Sequence, residues 1–249
     1  MKFIGIIPAR YSSTRFPGKP LADIDGIPMI IRVVRQALKA LDTVVVATDD
    51  ARIYDTVIHH GYNAVMTSDK HRSGTDRCLE AYDRFGCEAD VIINIQGDEP
   101  FIHPEQIEEL MHCYDDPDVK LATLVRKFPH DGSYEMLSNP NTPKVVVDDD
   151  MFAMYFSRSV IPYLRGKEIN EWAASYQYFT HVGMYAYRVS TLRKITALPQ
   201  SSLELAESLE QLRWVQAGYK IKVGVTSYET VGIDTPADLE RAVKYLHKS

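Results

Sequence analysis

Residues 3–21 have the sequence FIGIIPARYSSTRFPGKPL, in which a short apolar run leads into a long polar loop. The run FIGII (3–7) is β-prone and uncharged, which is typical of a buried strand. The loop that follows carries three cations, Arg10, Arg15 and Lys19, among serines, prolines and a glycine. Because open α/β sheets bind ligands at the carboxyl ends of their strands, a cationic loop in this position indicates an anion-binding site.

Apolar runs alternate with helical patterns over the first half of the chain. Segment 28–41 places apolar residues at helical spacing, and segments 50–61 and 74–86 each end in a glycine that can close a helix. Such alternation predicts an α/β fold with a mostly parallel, Rossmann-like sheet and helices on both faces. The predicted strands are FIGII (3–7), TVVVAT (43–48), NAVMT (63–67), DVIINIQ (90–96) and KLATLVRKF (120–128).

The pattern changes after the fifth predicted strand. PKVVVDDDMFAMYFSRS (143–159) predicts two strands that meet at the acidic turn 148–150, and YQYFTHVGMYAYR (176–188) predicts another strand. We interpret residues at about 140–190 as a β-rich insertion within a single domain that spans 1–249.

Helical patterning returns after this insertion. SLELAESLEQLRWVQAG (202–218) has helical spacing, KIKVGV (220–225) predicts a strand, and a last helix is expected from Thr235. The aromatic-rich segment 164–178 matches no functional block, and we predict that it contributes to a subunit interface.

The composition is that of an ordinary globular protein, with 249 residues, 45% hydrophobic and 25% charged. The net charge of −6 argues against nucleic acid or an anionic membrane as the main partner, since both need broad basic surfaces. Cys78, Cys87 and Cys113 form no CxxC pair, the eight histidines lack metal-ligand spacing, and no signal-peptide pattern or long apolar span is apparent. We therefore expect a reduced, cytoplasmic protein for which a small anionic ligand is still suitable.

The cationic loop matches neither of two familiar phosphate-binding motifs. A P-loop needs GxxxxGK followed by Ser or Thr, whereas Lys19 is followed by proline, and no GxGxxG turn is present. Two arginines and a lysine among small residues would still suit a nucleoside triphosphate that is about to lose pyrophosphate. A solvated surface loop is the alternative, and the charge pattern alone leaves both interpretations open.

Acidic residues follow another predicted strand in VIINIQGDEP (91–100). Gln96, Asp98 and Glu99 come directly after this strand, and Gly97 allows the chain to turn and approach a ligand closely. Mg²⁺ prefers carboxylate and phosphate oxygens, so Asp98 is our first candidate metal ligand.

Asp234 in VGIDTPADL (231–239) is the second candidate metal ligand. Aspartate before Thr-Pro is also a common helix opening, and the residues alone favour this capping role. Thr235 or Asp238 can share the capping of the same helix, so both interpretations of Asp234 stay open at this point.

Several blocks resemble one known family. IPARYSSTRFPGKPL (7–21) is similar to the signature of sugar nucleotidyltransferases that activate acidic sugars with CTP, and within them to the branch acting on 3-deoxy-manno-octulosonate (Kdo). Six further blocks agree in the expected order: SGTDR (73–77), NIQGDEPFI (94–102), YFSRSVIPY (155–163), HVGMYAYR (181–188), LEQLRW (209–214) and IDTPADLER (233–241). The resemblance implies a nucleotidyltransferase sheet, transfer of CMP from CTP to the 2-hydroxyl of Kdo for lipopolysaccharide synthesis, Mg²⁺ as cofactor, and a homodimer.

The resemblance also implies roles for individual residues. The implied catalytic residues are Arg10, Arg15, Lys19 and Asp98, and the implied metal ligands are Asp98 and Asp234. The implied nucleotide-binding residues are Pro8, Ala9, Arg10, Lys19, Arg72, Ser73, Gly74 and Gln96. The implied sugar-binding residues are Arg158, His181, Tyr185, Glu210 and Gln211.

Without the resemblance, some of these residues have ordinary structural interpretations. Arg72 and Ser73 could equally serve a helix N-terminus, and Tyr185 could be an ordinary strand aromatic. Glu210 and Arg213 could form a helix-surface pair that contributes little to stability.

Three other functions compete with this interpretation. A CMP-sialic acid synthetase shares the fold, but QGDEP, FSRSVIP and HVGMYAY favour the Kdo branch. A glycosyltransferase would cleave a sugar nucleotide, and a cationic loop suited to a triphosphate argues against it. A nucleotide-binding module without turnover is the non-enzymatic alternative, which Mg²⁺-dependent turnover would exclude.

Overall fold

The computed structural model describes residues 1–12, 16–229 and 232–246. Arg15, an implied catalytic residue, lies outside the described residues. No helix in the described part of the chain is long and apolar enough to cross a membrane.

The chain divides into two compact units. Unit 1 consists of residues 1–108, 186–196 and 230–249, and unit 2 consists of residues 109–185 and 197–229. The interpretation as a single domain with a β-rich insertion stays a prediction.

The elements of the described residues follow the predicted alternation of strands and helices. The strands are β1 Phe3–Ala9, β2 Asp23–Ile24, β3 Ile27–Pro28, β4 Val44–Thr48, β5 Asn63–Met66, β6 Val91–Asn94, β7 Leu121–Lys127, β8 Lys144–Val147, β9 Ala153–Ser157, β10 Phe179–Arg188 and β11 Lys222–Thr226. The helices are α1 Met29–Ala37, α2 Ala51–His59, α3 Gly74–Phe85, α4 Pro104–His112, α5 Tyr134–Leu137, α6 Trp172–Ser175, α7 Val189–Ile195, α8 Ser202–Glu207, α9 Gln211–Gln216 and α10 Pro236–Leu246.

A parallel sheet forms the centre of unit 1. β1 pairs in parallel with β4 on one side and with β6 on the other, and β4 pairs in parallel with β5. The order is therefore β6-β1-β4-β5, so the chain moves in one direction from β1 to β5 and then returns to β6. Because parallel crossovers are right-handed, α1 and α2 cover one face and α3 covers the other. The predicted α/β class, with a mostly parallel Rossmann-like sheet, is confirmed.

The strand order reverses between β1 and β6. Open α/β sheets form a ligand crevice outside the carboxyl ends of the two strands at such a reversal. The cationic loop follows β1 and the acidic segment 96–99 follows β6, so both predicted site segments emerge at this crevice.

Burial explains why these strands have almost no polar residues. β4 is buried over its whole length, as a central strand covered on both faces requires. α2 and α3 are followed by Gly61 and Gly86, whose φ angles of 78° and 71° lie in the left-handed region. The predicted helix-closing glycines are therefore confirmed.

Unit 2 contains the β-rich part of the chain. β11 pairs in parallel with β7, and β8 pairs antiparallel with both β9 and the start of β10. The Asp148 carboxylate accepts hydrogen bonds from the N–H groups of Asp150 and Phe152 at 3.1 and 2.7 Å. The predicted hairpin with its acidic turn is confirmed.

The helical pattern at 202–218 forms two helices rather than one. Ser208, which follows α8, has a φ of 51° in the left-handed region, and this conformation ends the helix. Its N–H group donates to the carbonyl of Glu204 and so closes the last turn. The separate helix α9 begins at Gln211.

Part of the aromatic content of segment 164–178 belongs to the core of unit 2. Trp172 and Tyr178 are buried in a cluster with Phe128 and Leu137. Tyr176 is 39% exposed. The buried aromatic side chains stabilise the unit itself, and the predicted subunit interface stays a prediction.

Candidate active site

Lys19 lies between two carboxylates in unit 1. Its ammonium group donates to Asp98 Oδ2 at 2.7 Å and to Asp234 Oδ1 at 3.2 Å. The side chains of Lys19 and Asp98 are 14% and 32% exposed, so their charge-assisted contact is partly shielded from water, whereas the Asp234 side chain is 49% exposed. The structure thus brings together one predicted catalytic cation and both predicted metal ligands.

Main-chain contacts position Asp98. A Cβ atom on Gly97 would lie 2.7 Å from the carbonyl oxygen of Pro8, so only glycine fits this approach of the acidic segment to β1. The N–H group of Ile233 donates to the carbonyl of Asp98 at 2.9 Å. This bond holds the segment that carries Asp234 against the one that carries Asp98.

Neighbouring residues perform the helix capping for which Asp234 was also a candidate. The Asp238 carboxylate accepts hydrogen bonds from the N–H groups of Asp234 and Thr235 at 3.1 and 2.8 Å. The Thr235 hydroxyl accepts a bond from the N–H group of Asp238 at 3.3 Å. The Asp234 carboxylate is directed to Lys19 instead, which is compatible with a role at the site.

The two carboxylates form a donor set that suits a hard divalent cation. The described residues contain no group of three or more His, Cys, Asp or Glu side chains that could hold a metal ion. Asp98 and Asp234 converge on one cation, the Lys19 ammonium group. Mg²⁺ is commonly held by one or two carboxylates together with phosphate oxygens and water, so this pair fits Mg²⁺ that arrives with a phosphate-bearing ligand. Their assignment as metal ligands stays a prediction.

The surroundings of Glu99, which follows Asp98 in the acidic segment, favour its neutral form. Its Oε2 atom is buried and has no hydrogen-bond partner among the described residues. Burial, and secondly the charge of Asp98, raise the pKa of Glu99 to about 8. A pKa in this range favours the protonated form of Glu99 at neutral pH.

Arg10 links the cationic loop to the segment that precedes α3. Its guanidinium group donates to the carbonyl of His71. Burial, and secondly the charge of Arg77, lower the pKa of Arg10. A guanidinium group stays charged at neutral pH even so, which makes Arg10 a partly desolvated cation beside the loop.

Arg77 is a buried cation to which the sequence analysis assigned no role. Its side chain is fully buried, and it donates to Asp49 Oδ2 at 2.8 Å and to Thr67 Oγ1 at 2.6 Å. Asp49 follows β4 and Thr67 follows β5, so Arg77 ties two neighbouring strand ends to α3. The SGTDR block contains this arginine, but the sequence does not reveal that its charge is buried.

Tyr11 and Gly18 close the base of the cationic loop. The N–H group of Gly18 donates to the carbonyl of Tyr11 at 2.9 Å, and Gly18 has a φ of 72°. The guanidinium carbon of Arg52 lies 3.3 Å from the centre of the Tyr11 ring, which is a cation–π contact. Lys19 follows this closure directly, so its position depends on it.

The predicted nucleotide-binding residues of segment 72–74 lie at the start of α3. Ser73 is the N-cap and accepts a bond from the N–H group of Asp76 at 3.2 Å, which confirms the helix-terminus interpretation. A Cβ atom on Gly74 would lie 3.4 Å from Pro8, so this terminus lies close to the end of β1. A helix N-terminus is itself suited to phosphate, so capping and nucleotide binding are compatible. Arg72 is exposed and Gln96 is partly buried after β6.

Four of the five predicted sugar-binding residues lie around an aromatic cluster in unit 2. The Tyr185 ring packs against the rings of His181 and Trp214, with centroid distances of 5.3 and 5.2 Å. Trp214 is on α9, which Glu210 precedes and Gln211 begins. Gln211 Nε2 is buried and has no hydrogen-bond partner among the described residues. A buried donor left unpaired is costly, so this atom is available to an oxygen acceptor such as water or a ligand.

Arg213 forms its strong ion pair with Glu204 rather than with Glu210. Two guanidinium nitrogens donate to Glu204 at 2.7 and 2.5 Å, whereas the Glu210 carboxylate lies 3.9 Å away. The Arg213 hydrogen bonds lower the pKa of Glu204, more than burial raises it. The pair of Glu210 with Arg213 is therefore present as a long i,i+3 contact, and Arg213 is bound mainly by Glu204.

Arg158 is held by main-chain carbonyls in this structure. Its Nε, Nη1 and Nη2 atoms donate to the carbonyls of Glu207, Pro140 and Ser208 at 2.5, 2.8 and 3.1 Å. A guanidinium group has five N–H donors, so the donors that bond no carbonyl are available to a ligand. The predicted role of Arg158 in binding the sugar stays a prediction, and a structural role is evident beside it.

These features together define a class of protein. A parallel sheet with a strand-order reversal, a cationic loop after β1 and acidic residues after β6 are typical of α/β nucleotidyltransferases. The chain matches the cytidylyltransferase family over residues 4–221 and belongs to that family.

Relatives that match nearly the whole chain are named more specifically than the family. The chain is 62% identical to a 3-deoxy-manno-octulosonate cytidylyltransferase of Parabacteroides distasonis, over 99% of this chain and 98% of the relative. It is 57% identical to the 3-deoxy-manno-octulosonate cytidylyltransferase of Phocaeicola vulgatus, again over 99% and 98%. A solved structure of CMP:2-keto-3-deoxy-manno-octonic acid synthetase complexed with CTP is 44% identical, with a TM-score of 0.90 over 100% of this chain and 99% of that one. The expected nucleotidyltransferase fold is confirmed.

Proposed function

We propose that the protein transfers CMP from CTP to the anomeric 2-hydroxyl of Kdo, giving CMP-Kdo and pyrophosphate for lipopolysaccharide synthesis. The observation that carries this function is the 62% identity to a 3-deoxy-manno-octulosonate cytidylyltransferase over nearly the whole of both chains. The 44% identical synthetase with CTP bound supports the choice of nucleotide.

The cations of unit 1 stabilise the charge that pyrophosphate gains as it leaves. Transfers of this kind need positioning and charge neutralisation rather than a covalent protein nucleophile. Arg10 and Lys19 provide two fixed positive charges, and Arg15, outside the described residues, is proposed as a third. Because Arg10 is already partly buried and held by a protein contact, little reorganisation of this cation opposes the reaction.

Mg²⁺ is part of this proposal. Asp98 and Asp234 would hold it, and when bound it would supply positive charge that polarises phosphate oxygens. Lys19 contacts both carboxylates in the structure described and offsets part of their negative charge.

The nucleotide and the sugar acid are assigned to different residues. The nucleotide would be lined by Pro8, Ala9, Arg10, Lys19, Arg72, Ser73, Gly74 and Gln96. The sugar acid would be bound by Arg158, His181, Tyr185, Glu210 and Gln211, where the unpaired buried donor of Gln211 supports a polar ligand. A homodimer and a cytoplasmic location complete the proposal. The first rests on the sequence resemblance and the second on the composition and patterns of the sequence.

Pyrophosphate release tests the function directly. The purified protein is incubated with CTP and Mg²⁺, together with Kdo, sialic acid or no sugar. Release that requires Kdo is expected, and the Asp98→Asn variant should lose it. The matched control is Asp149→Asn, which removes the same charge from an exposed turn in unit 2.

Other outcomes would point to other functions. Release with sialic acid instead of Kdo would move the protein to the sister branch. No release with either sugar, while CTP still binds, would leave a nucleotide-binding module without turnover.

A further inference from the structure

Thr123 is a buried polar residue in unit 2 that lies against the predicted sugar-binding histidine. It is on β7 and is fully buried. Its hydroxyl oxygen lies 3.0 Å from His181 Nε2, 2.8 Å from the carbonyl oxygen of Met184 and 3.3 Å from that of Val182. The hydroxyl therefore has three polar neighbours on β10 and one proton to donate.

The two carbonyl oxygens decide where that proton lies. A carbonyl oxygen can only accept, so two oxygens 2.8 Å apart need a proton between them. The Thr123 hydroxyl consequently donates to the Met184 carbonyl, and the Val182 carbonyl at 3.3 Å is a weaker acceptor. Its lone pairs then face His181, and the contact at 3.0 Å requires that Nε2 carries the hydrogen.

The His181 ring is held in a setting that favours its neutral form. It packs edge-on against Phe156 and tilted against Tyr185, with centroid distances of 5.2 and 5.3 Å. Burial lowers the pKa of His181 to about 3, so the ring is uncharged at neutral pH. A neutral imidazole has one donor nitrogen and one acceptor nitrogen.

We propose that Thr123 is a positioning residue that fixes His181 as the Nε2–H tautomer, so that Nδ1 accepts a hydrogen bond from a hydroxyl group of the sugar acid. The proposal rests on the proposed function, because that function assigns His181 to the sugar. It also implies that different residues recognise the hydroxyl groups and the carboxylate of the sugar acid. A neutral acceptor nitrogen recognises a hydroxyl and repels a carboxylate, so the acid group of the sugar is bound by other residues.

The tautomer of the wild-type protein provides the first test. Histidine-selective ¹⁵N labelling and two-bond ¹H–¹⁵N correlation spectra distinguish the protonated nitrogen of each ring from the unprotonated one. His181→Gln identifies the signals of His181. We expect a protonated Nε2 and an unprotonated Nδ1, and the reverse pattern or a charged ring at neutral pH would overturn the proposal.

Two variants of Thr123 provide the second test. Thr123→Val keeps the shape and removes the hydroxyl, so part of the population should shift to the Nδ1–H tautomer. The KM for Kdo should then rise about tenfold, as expected for one lost hydrogen bond, with the KM for CTP unchanged. Thr123→Ser should restore both the spectrum and the KM. Thr180→Val is the matched control. Thr180, on β10, is buried like Thr123, and its hydroxyl donates to the carbonyl of Arg126.

The remaining outcomes separate this proposal from a purely structural role and from the proposed function. A higher KM for Kdo in Thr123→Val with an unchanged tautomer would overturn the proposal, as would an unchanged KM with a changed tautomer. Equal effects of Thr180→Val and Thr123→Val would do the same. If the wild type releases no pyrophosphate with Kdo, the proposed function fails, whereas the spectrum still reports on the tautomer.

Discussion

Replacing Lys19 should change metal binding and turnover in opposite directions. In the structure its ammonium group occupies the position between Asp98 and Asp234, where a divalent cation would otherwise neutralise both carboxylates. Lys19→Met removes this internal counter-ion and preserves most of the side-chain volume. We therefore expect tighter binding of Mg²⁺ to the ligand-free protein together with slower catalysis.

The expected size of the effect follows from the two contacts. A hydrogen bond between charged groups contributes about 1.5–3 kcal/mol, which applies to the shielded contact with Asp98 at 2.7 Å. The contact with Asp234 at 3.2 Å adds little, because the Asp234 side chain is 49% exposed. If the loss of Lys19 removes about 2 kcal/mol of competition for the two carboxylates, the dissociation constant for Mg²⁺ falls by about 30-fold. Turnover should fall by about 10²–10³-fold, as when one preorganised donor to a developing charge is lost.

Calorimetric titration with Mg²⁺ in the absence of nucleotide measures the first quantity, and pyrophosphate release measures the second. Lys39→Met is the matched control, because it removes the same charge from an exposed position in unit 1. Weaker or unchanged Mg²⁺ binding in Lys19→Met would refute the reasoning that this lysine and the metal compete for one pair of carboxylates.

Three further predictions follow from individual contacts. Gly97→Ala should destabilise the nucleotide site by about 1–3 kcal/mol, because its Cβ atom would lie 2.7 Å from the Pro8 carbonyl oxygen. The measured kcat/KM for CTP should therefore fall. Gly183→Ala, which has open space around its Cβ position, should leave kcat/KM for CTP nearly unchanged. Burial lowers the pKa of His181 from 6.5 to about 3, so the unfolded chain binds its proton more readily and stability is lost as pH falls below 6.5. Urea unfolding at pH 7 and pH 5 should show that His181→Gln avoids about 2 kcal/mol of this loss, and equal losses in both proteins would contradict the assignment. Arg158→Lys should lower the melting temperature even without ligand, because one ammonium group cannot reach the three carbonyls that the guanidinium group bonds. An unchanged melting temperature would leave Arg158 with only a role in binding the sugar acid.

The sheet of unit 1 could be predicted because its residues obey simple rules. A strand covered on both faces is largely apolar, and β4 and β6 are buried at every position, each with one polar residue, Thr48 or Asn94, at its end. Gly61 and Gly86 identify helix ends because their positive φ angles disfavour other residues. The position of Asp98 near Lys19 followed from the rule that ligands collect at the carboxyl ends of parallel strands.

Other parts of the site could not be predicted, because their partners are not encoded in local patterns. Arg158 bonds backbone carbonyls, which every residue possesses, so no sequence motif marks them. Burial of a carboxyl oxygen in Glu99 and of the whole Arg77 side chain depends on packing that brings distant segments together. Capping and metal binding call for the same residue types, so the sequence around Asp234 was compatible with both.

The most direct test of the account is the stoichiometry of the reaction in solution. ³¹P NMR of the wild-type protein with CTP, Mg²⁺ and Kdo follows every phosphorus species at once. We expect that CTP is converted to CMP-Kdo and pyrophosphate in equal amounts, and that neither forms without Kdo. Formation of free CMP with no sugar ester, or consumption of CTP that does not depend on Kdo, would contradict this expectation.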